Sequence, residues 1–464
     1  MRIYLRKFVL WSVTFCIGFL LTFNVYNHDV WVYDDPGKSW APKAQETRNN
    51  KRNSEWGSKI KVQTNNSQIR TNKNTIRIVE DNITITLRPL EKNEKNSIKQ
   101  NLLLFPSLER YEDDRILAQM KHRPKHIIEH EKKKEKVPMK TIFMNSGLRS
   151  AAERGQARFL ADNCPTNQCI LTDDKNKASD ADAIVFHQTP SPGPVPRPKN
   201  QVWILFMLES PYHTPGLGAL NNVINWTATY RHDSVIVAPY EKFVPFNESV
   251  PQKTQVKNYA LGKTKHIAWF VSNCGARNGR RKYADELAKY IDVDIYGTCG
   301  PLTCPRSKAD ECFGMLNRDY KFYLAFENSN CRDYITEKYF VTGLQNDVIP
   351  IVMGAAPEDY KRASPPHSYI HVDDFESPKE LAEYLHKLDK NDDLYNEYFL
   401  WKGTGSFVNT FFYCRLCAMV HEVPNNPPTI YHNLDRWWRG PGVCIDQQNW
   451  RSRKNMSSII IDHY

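Results

Sequence analysis

Glu327, Asn328, Arg332, Tyr334, Glu337 and Lys338 crowd a short stretch between two apolar runs, a mixture of charge and hydrogen-bonding groups suited to an anionic ligand. The run before them, Tyr320–Phe326, is aromatic-rich and reads as a strand that Glu327-Asn328-Ser329-Asn330 breaks. Thr336 can cap a helix whose Tyr339, Phe340, Gly343 and Leu344 recur at helical spacing, and residues 348–352 resume an extended run. Strand, loop, helix and strand in an α/β sheet present the loop and the helix N-terminus at the carboxyl edge, where phosphates tend to bind.

Two further groups could share such a site. Glu209 follows the strongly apolar run 202–208 and precedes Ser210-Pro211, which cannot continue a strand. A carboxylate there is a candidate general base, against the plainer reading of an ordinary loop glutamate. Arg280, Arg281 and Lys282 open a helix after the apolar run 266–272. A basic helix start opposes the macrodipole, so it points either to an anionic ligand or to a solvated face.

Other patterns are less convincing. Asp180-Ala181-Asp182 and Asp292-Val293-Asp294 spell the D-x-D of metal-dependent glycosyltransferases, but Asp182 and Asp294 sit at or inside apolar strands. Cys414-Arg415-Leu416-Cys417 could be a redox or zinc motif. It lacks the strand–helix context of the first and the four ligands of the second, so disulfides are favoured. Trp437-Trp438 reads as packing, although paired indoles can stack on sugar.

The segment Phe326-Glu327-Asn328-Ser329, Tyr334, Thr336-Glu337-Lys338, followed by Ile349 to Ala355 (IPIVMGA), resembles the nucleotide-sugar signature of the α1,3/4-fucosyltransferases. The stretch 206–217 (FMLESPYHTPGL) is similar to that family's F-ESP-x-H-x-PGL segment, and 271–287 to its segment carrying a donor-phosphate arginine. The resemblance extends over about 140–444. It implies a GT-B-like α/β fold of two doubly wound Rossmann-like domains facing a cleft, with an N-terminal acceptor half and a C-terminal donor half. It implies Glu209 as general base, and Arg280, Lys282, Glu327, Asn328, Tyr334, Glu337 and Lys338 as the GDP-fucose site. Arg280 and Lys338 would meet diphosphate charge, Glu337 a ribose or fucose hydroxyl, and Asn328 and Tyr334 the diphosphate or sugar. No cofactor is strictly required, with Mn²⁺ or Mg²⁺ stimulatory at most. The cysteine-rich approach 299–314, the segment 413–422 and the terminal WWRGPGVC (437–444) are similar to the core-type subgroup, which fucosylates O3 of the Asn-linked GlcNAc of N-glycans. The Lewis-type subgroup, acting on antennal GlcNAc, and an inactive sugar-binding homologue are the alternatives.

The rest of the chain must position these groups. Its 464 residues suffice for two ordinary domains with additions. Lys and Arg total 63 against 52 Asp and Glu, a net +11 whose excess lies before residue 140. No nucleic-acid-binding motif accompanies that charge, so it reads as a solvated stem rather than a nucleic-acid surface. Residues 8–25 form an uncharged apolar run spanning roughly 27 Å as a helix. Arg2, Arg6 and Lys7 precede it and acidic residues follow, which predicts a type II signal anchor: cytosolic tail 1–7, span 8–25 and a lumenal body in the Golgi. A cleaved signal peptide is the alternative, but no small-x-small cleavage site follows. Asn65, Asn82, Asn225, Asn247 and Asn455 head N-glycosylation triplets. Outside Cys16 in the apolar run, Cys164, Cys169, Cys274, Cys299, Cys304, Cys312, Cys331, Cys414, Cys417 and Cys444 form an even set suited to an oxidising compartment, with connectivity left open.

Residues 26–137 are polar without sustained period and read as a flexible stem, the alternation at 76–87 being too polar in context to bury a strand. Beyond Lys140, strands are expected at 141–144, Ala183–His187, 202–208, 234–238, 266–272, Val293–Tyr296, Tyr320–Phe326 and 348–352. Helical patterns lie at 149–161, 282–291 and 378–388. This alternation predicts parallel sheets covered on both faces. It divides into an acceptor domain at 138–258 and a donor domain at 259–410, with a cysteine-containing segment, 411–464, that lacks a clear sheet element and packs across both. The expected partners are GDP-fucose, N-glycosylated glycoproteins and the Golgi membrane.

Overall fold

The computed structural model describes residues 68–72, 75–80, 83–87, 104–106, 115–148, 153–187, 197–447 and 449–451. The apolar run 8–25 and the triplets at Asn65, Asn82 and Asn455 lie outside these residues. Among the described residues no helix is long and apolar enough to cross a membrane. The chain divides into two units, Met1–Lys92 and Asn93–Tyr464.

In the first unit, β1 (Gln68–Asn72), β2 (Thr75–Glu80) and β3 (Ile83–Leu87) form an antiparallel meander, with Ile78 opposite Ile69 and Ile85. This corrects the reading of the stem as structureless here. A central strand paired on both edges satisfies its own backbone, so polar context alone does not forbid it.

The second unit holds two five-stranded parallel sheets. The first comprises β4 (Lys140–Met144), β5 (Cys169–Thr172), β6 (Ala183–His187), β7 (Val202–Met207) and β8 (Trp226–Thr229), ordered β5-β4-β6-β7-β8. An antiparallel pair follows, β9 (Lys242–Pro245) with β16 (Gly405–Val408). The second sheet comprises β10 (Lys265–Phe270), β11 (Val293–Tyr296), β12 (Tyr320–Phe326), β14 (Ile349–Met353) and β15 (Ile370–His371), ordered β11-β10-β12-β14-β15. Both sheets thus run in the doubly wound order 2-1-3-4-5, which places a topological switch point beside the first strand of each. Every residue of β12 is buried, as a strand covered on both faces requires. A short antiparallel pair, β13 (Asn330–Cys331) with β17 (Cys444–Ile445), joins the signature loop to the end of the chain.

Several boundaries move. Phe243 of β9 packs on Trp401 and Phe407, so the chain has already crossed to the C-terminal half before 258. The apolar run 234–238 lies beside β8 with only Ile236 and Ala238 donating to Thr227 and Thr229 carbonyls, and forms no regular strand. Of the helix expected at 149–161, the described part, 153–161, is helical only at Ala157–Ala161, because Gly155 takes a positive φ of 81° and pairs with Leu171 instead.

The stem also ends earlier than 137. Helices Arg115–Lys121 and Lys125–Lys133 pack on the body through buried Ile116 and Ile127. Arg115 donates to Ser234 O at 2.8 Å, and His122 Nε2 lies 2.8 Å from Glu422 Oε1.

The segment after 411 threads both halves. Its helix Phe412–Glu422 buries Leu416, Cys417, Met419 and Val420 against the first sheet, a contribution of about 1.5–3 kcal/mol for each large apolar side chain. Leu434 and Trp438 join a second core layer there, and β17 supplies the sheet element not expected from sequence. The disulfides Cys164–Cys414 and Cys169–Cys417 fasten the helix to the first sheet. Cys274–Cys299, Cys304–Cys312 and Cys331–Cys444 complete the set, so no cysteine of the Cys414–Cys417 motif is left for redox or zinc chemistry.

Candidate active site

Glu209 emerges from the carboxyl end of β7 and meets the signature loop of the other half. Its Oε1 accepts from the Ser210 backbone N–H at 2.8 Å, from Tyr334 Oη at 2.7 Å and from Asn328 Nδ2 at 3.3 Å. No described residue bonds Oε2, the oxygen left to act as an acceptor. Beside it, the hydroxyls of Ser210 and Ser329 lie 2.7 Å apart. Asn328 and Tyr334, expected to face the donor, both hold the candidate base. Burial first, and then the Glu209 carboxylate, push the Tyr334 phenol far above its ordinary pKa, so it remains a donor.

Glu327 is the firmest correction. It is 0% exposed and cannot touch a ligand. Its carboxylate accepts from Thr336 N at 2.7 Å and Thr336 Oγ1 at 2.8 Å, which ties the helix start to the end of β12. Burial raises its pKa to about 7, opposed by Lys338. Gly354 leaves the space for it, since a Cβ there would lie 2.6 Å from Glu327 Cγ. Two parts of the signature, FEN and the glycine of IPIVMG, are thus one packing unit.

Lys338 opens the wide, π-type helix Lys338–Leu344. Its Nζ lies 3.0 Å from Glu337 Oε1, 3.1 Å from Thr336 Oγ1 and 3.5 Å from Glu327 Oε2. Desolvation works against its charge, but Glu337 and Glu327 outweigh it and raise the pKa. It therefore stays cationic and, unlike Glu327, is partly exposed. Glu337 is partly exposed beside it and keeps a lone-pair surface for a hydroxyl donor.

Arg280, expected to meet the donor diphosphate, lies where its charge acts on Lys338. It is 3% exposed, donating to Phe326 O at 2.9 Å and Asn273 O at 2.8 Å, with its guanidinium 5.8 Å from the Trp269 ring. A planar fork at the sheet edge is well suited to fastening the ends of β10 and β12, and those donors are committed to carbonyls.

Lys282, two residues on, lines a cavity of about 460 Å³ with Asn278 and Asn330. Asn278 follows β10 and Asn330 follows β12, so this cavity sits at the switch point of the second sheet. Asn278 Nδ2 donates to Glu327 O at 2.9 Å and to Asn330 Oδ1 at 3.0 Å, joining the cavity wall to the signature.

The D-x-D pairs are elsewhere. Asp182 precedes β6 and accepts from Lys140 Nζ and Thr141 N, while Asp294 near the start of β11 takes Lys265 and Tyr320. Both lie away from the carboxyl edges. Asn225 is 3% exposed, its Oδ1 accepting from Trp203 N and its Nδ2 donating to Thr429 O, so it is no glycan site in the folded chain. Asn247 is exposed.

Residues 137–241 match the family model "Fucosyltransferase, N-terminal", and residues 260–437 match "Glycosyltransferase family 10 (fucosyltransferase) C-term". Glycoprotein 3-alpha-L-fucosyltransferase A of Drosophila melanogaster is 52% identical over 363 residues, 77% of this chain and 71% of that protein. The chain belongs to glycosyltransferase family 10, the fucosyltransferases. Alpha-(1,3)-fucosyltransferase C of D. melanogaster is 38% identical, covering 59% of this chain and 70% of that protein. A solved α1,3-fucosyltransferase crystallised with GDP-fucose aligns over 64% of this chain and 92% of its own, at 18% identity and a TM-score of 0.40. In this glycosyltransferase, Glu209 falls within the N-terminal family region and Tyr334 and Lys338 within the C-terminal one.

Sequence reading missed Ser210, Ser329 and Tyr283 as site-lining groups, although all three stand inside segments matched to the family. Gln447 and Asn449, which also line the cavity, carried no local signal at all.

Proposed function

We propose that the chain is an inverting α1,3-fucosyltransferase of GT-B-like architecture. It moves L-fucose from GDP-β-L-fucose to O3 of the innermost, Asn-linked GlcNAc of N-glycans. The observation that carries this reading is the contact across the halves: a carboxylate from the first sheet's edge held by Tyr334 and Asn328 of the nucleotide-sugar signature.

The chemistry follows from that contact. Glu209 takes the proton of the GlcNAc O3 hydroxyl as O3 forms its bond to the fucose anomeric carbon. The bond from that carbon to the β-phosphate oxygen breaks, and GDP leaves with the electron pair. Lys338, kept charged by its carboxylate neighbours, meets the growing negative charge. One displacement turns the β-linked donor into an α-linked product, with no covalent intermediate on the enzyme. The core-type acceptor is supported by the 52% identity to a relative named a glycoprotein 3-alpha-L-fucosyltransferase. On this reading residues 8–25 anchor the chain in the Golgi membrane with the body in the lumen, which suits five disulfide pairs.

Incubating the protein with GDP-fucose and a defined N-glycopeptide, then locating the new fucose by fragmentation, tests donor, acceptor and linkage together. Fucose on the innermost GlcNAc is expected. Fucose on an antenna would shift the reading to the Lewis type, and no turnover would favour a binding protein.

A further inference from the structure

The C-terminal family region ends at 437, yet the chain continues for a described stretch that runs back to the cavity of the second sheet. The disulfide Cys331–Cys444 and the β13–β17 pair pin this stretch to the signature loop. Asn330 Nδ2 donates to Asp446 O at 3.1 Å. Farther on, Trp450 N–H donates to Asp373 Oδ2 at 2.7 Å and its indole N–H to Gly354 O at 3.0 Å. Arg451 closes the strap on Glu376 Oε1 and Phe375 O, both at 2.7 Å. Between these fastenings, Gln447 and Asn449 line the cavity. Gln447 lies so close to Gly279, which has a φ of +73°, that a Cβ there would meet Gln447 Cγ at 3.1 Å.

The cavity's chemistry is mixed. Lys282 and Arg451 bring positive charge, while Asp373, Glu376 and Glu286 bring carboxylates that would repel a phosphate. Carboxylates and amides together suit a neutral group rich in N–H and O–H donors, such as a purine base with its ribose. Tyr283 adds a second pointer to a ligand: the residue lines this cavity, and its hydroxyl is buried with no hydrogen-bond partner among the described residues. A volume of about 460 Å³ falls within the range of small-molecule sites.

We propose that residues 444–447 and 449–451 belong to a strap that completes the nucleoside subsite of the donor, with Gln447 and Asn449 as its contacts to the guanosine of GDP-fucose. The inference rests on the donor reading above. It adds binding residues beyond the region that the family model spans.

Calorimetric titration of the full-length protein in detergent, using GDP, guanosine and inorganic pyrophosphate, tests it. Gln447→Ala and Asn449→Ala are each expected to weaken GDP and guanosine about tenfold, which is about 1.4 kcal/mol, and to leave pyrophosphate unchanged. Melting temperature without ligand and the KM for acceptor should stay at wild-type values. Should either alanine variant fold poorly, the similarly sized but apolar Gln447→Met and Asn449→Leu are expected to show the same selective loss. Affinities within twofold of wild type, or an equal loss for pyrophosphate, overturn the strap assignment while leaving the donor reading intact. Failure of wild type to bind GDP at all overturns the donor reading itself.

Discussion

Replacing Tyr334 with Phe removes one oxygen from the contact between the two halves. The ring is 1% exposed and packs 5.0 Å from Tyr230, contacts that Phe retains. What is lost is a 2.7 Å hydrogen bond to a carboxylate, worth about 1.5–3 kcal/mol. Ser210 N–H and Asn328 Nδ2 still reach the same Oε1, so the lower part of that range applies. At about 1.4 kcal/mol per tenfold, kcat for fucosyl transfer should fall roughly 10–50-fold as Glu209 samples unproductive orientations. Initial rates with GDP-fucose varied at saturating acceptor, together with the melting temperature, are the assay. A melting temperature that drops while kcat stays within twofold of wild type would show the bond to be scaffolding, and would refute Tyr334 as the residue that orients the base.

Two other outcomes follow from buried charge. His421 is 1% exposed, with Nε2 3.0 Å from Gln168 O and Nδ1 3.1 Å from His126 Nε2, and desolvation lowers its pKa to about 4. The unfolded chain, with an ordinary value near 6.5, then binds the extra proton first. Stability from this site is full above about pH 6.5 and declines by up to about 3 kcal/mol as pH falls toward 4. Urea midpoints across that window should show the decline, and His421→Gln should flatten it. Arg280→Lys exchanges a fork that reaches two carbonyls for one ammonium. It should destabilise the fold by roughly 2–4 kcal/mol, read as a lower urea midpoint, whereas a purely ligand-binding arginine would leave the midpoint in place.

The site was legible where its residues are local. The stretch 320–354 announces strand, loop, helix and strand by pattern alone, and β6, β11 and β12 form with the expected bounds. Glu209 could be singled out because a strand end is a local feature, but its partners could not. Asn328 and Tyr334 lie more than a hundred residues away and reach it only through folding. The same limit explains the misplacement of Glu327. Sequence shows a charge at a strand end, but not whether it faces ligand or, as Glu327 does, the backbone of its own loop. Asn225 fits a glycosylation triplet, yet its amide serves Trp203 and Thr429 in the core. The strap was hidden for a related reason: pairing Cys331 with Cys444 joins elements that no periodicity relates.

Glu209→Gln keeps the shape of the side chain and removes its basicity. Fucosyl transfer by this variant should fall about 10²–10⁴-fold while GDP binds as in wild type. Near-normal transfer, with the nucleotide still held, would contradict the assignment of the acceptor's proton to this carboxylate.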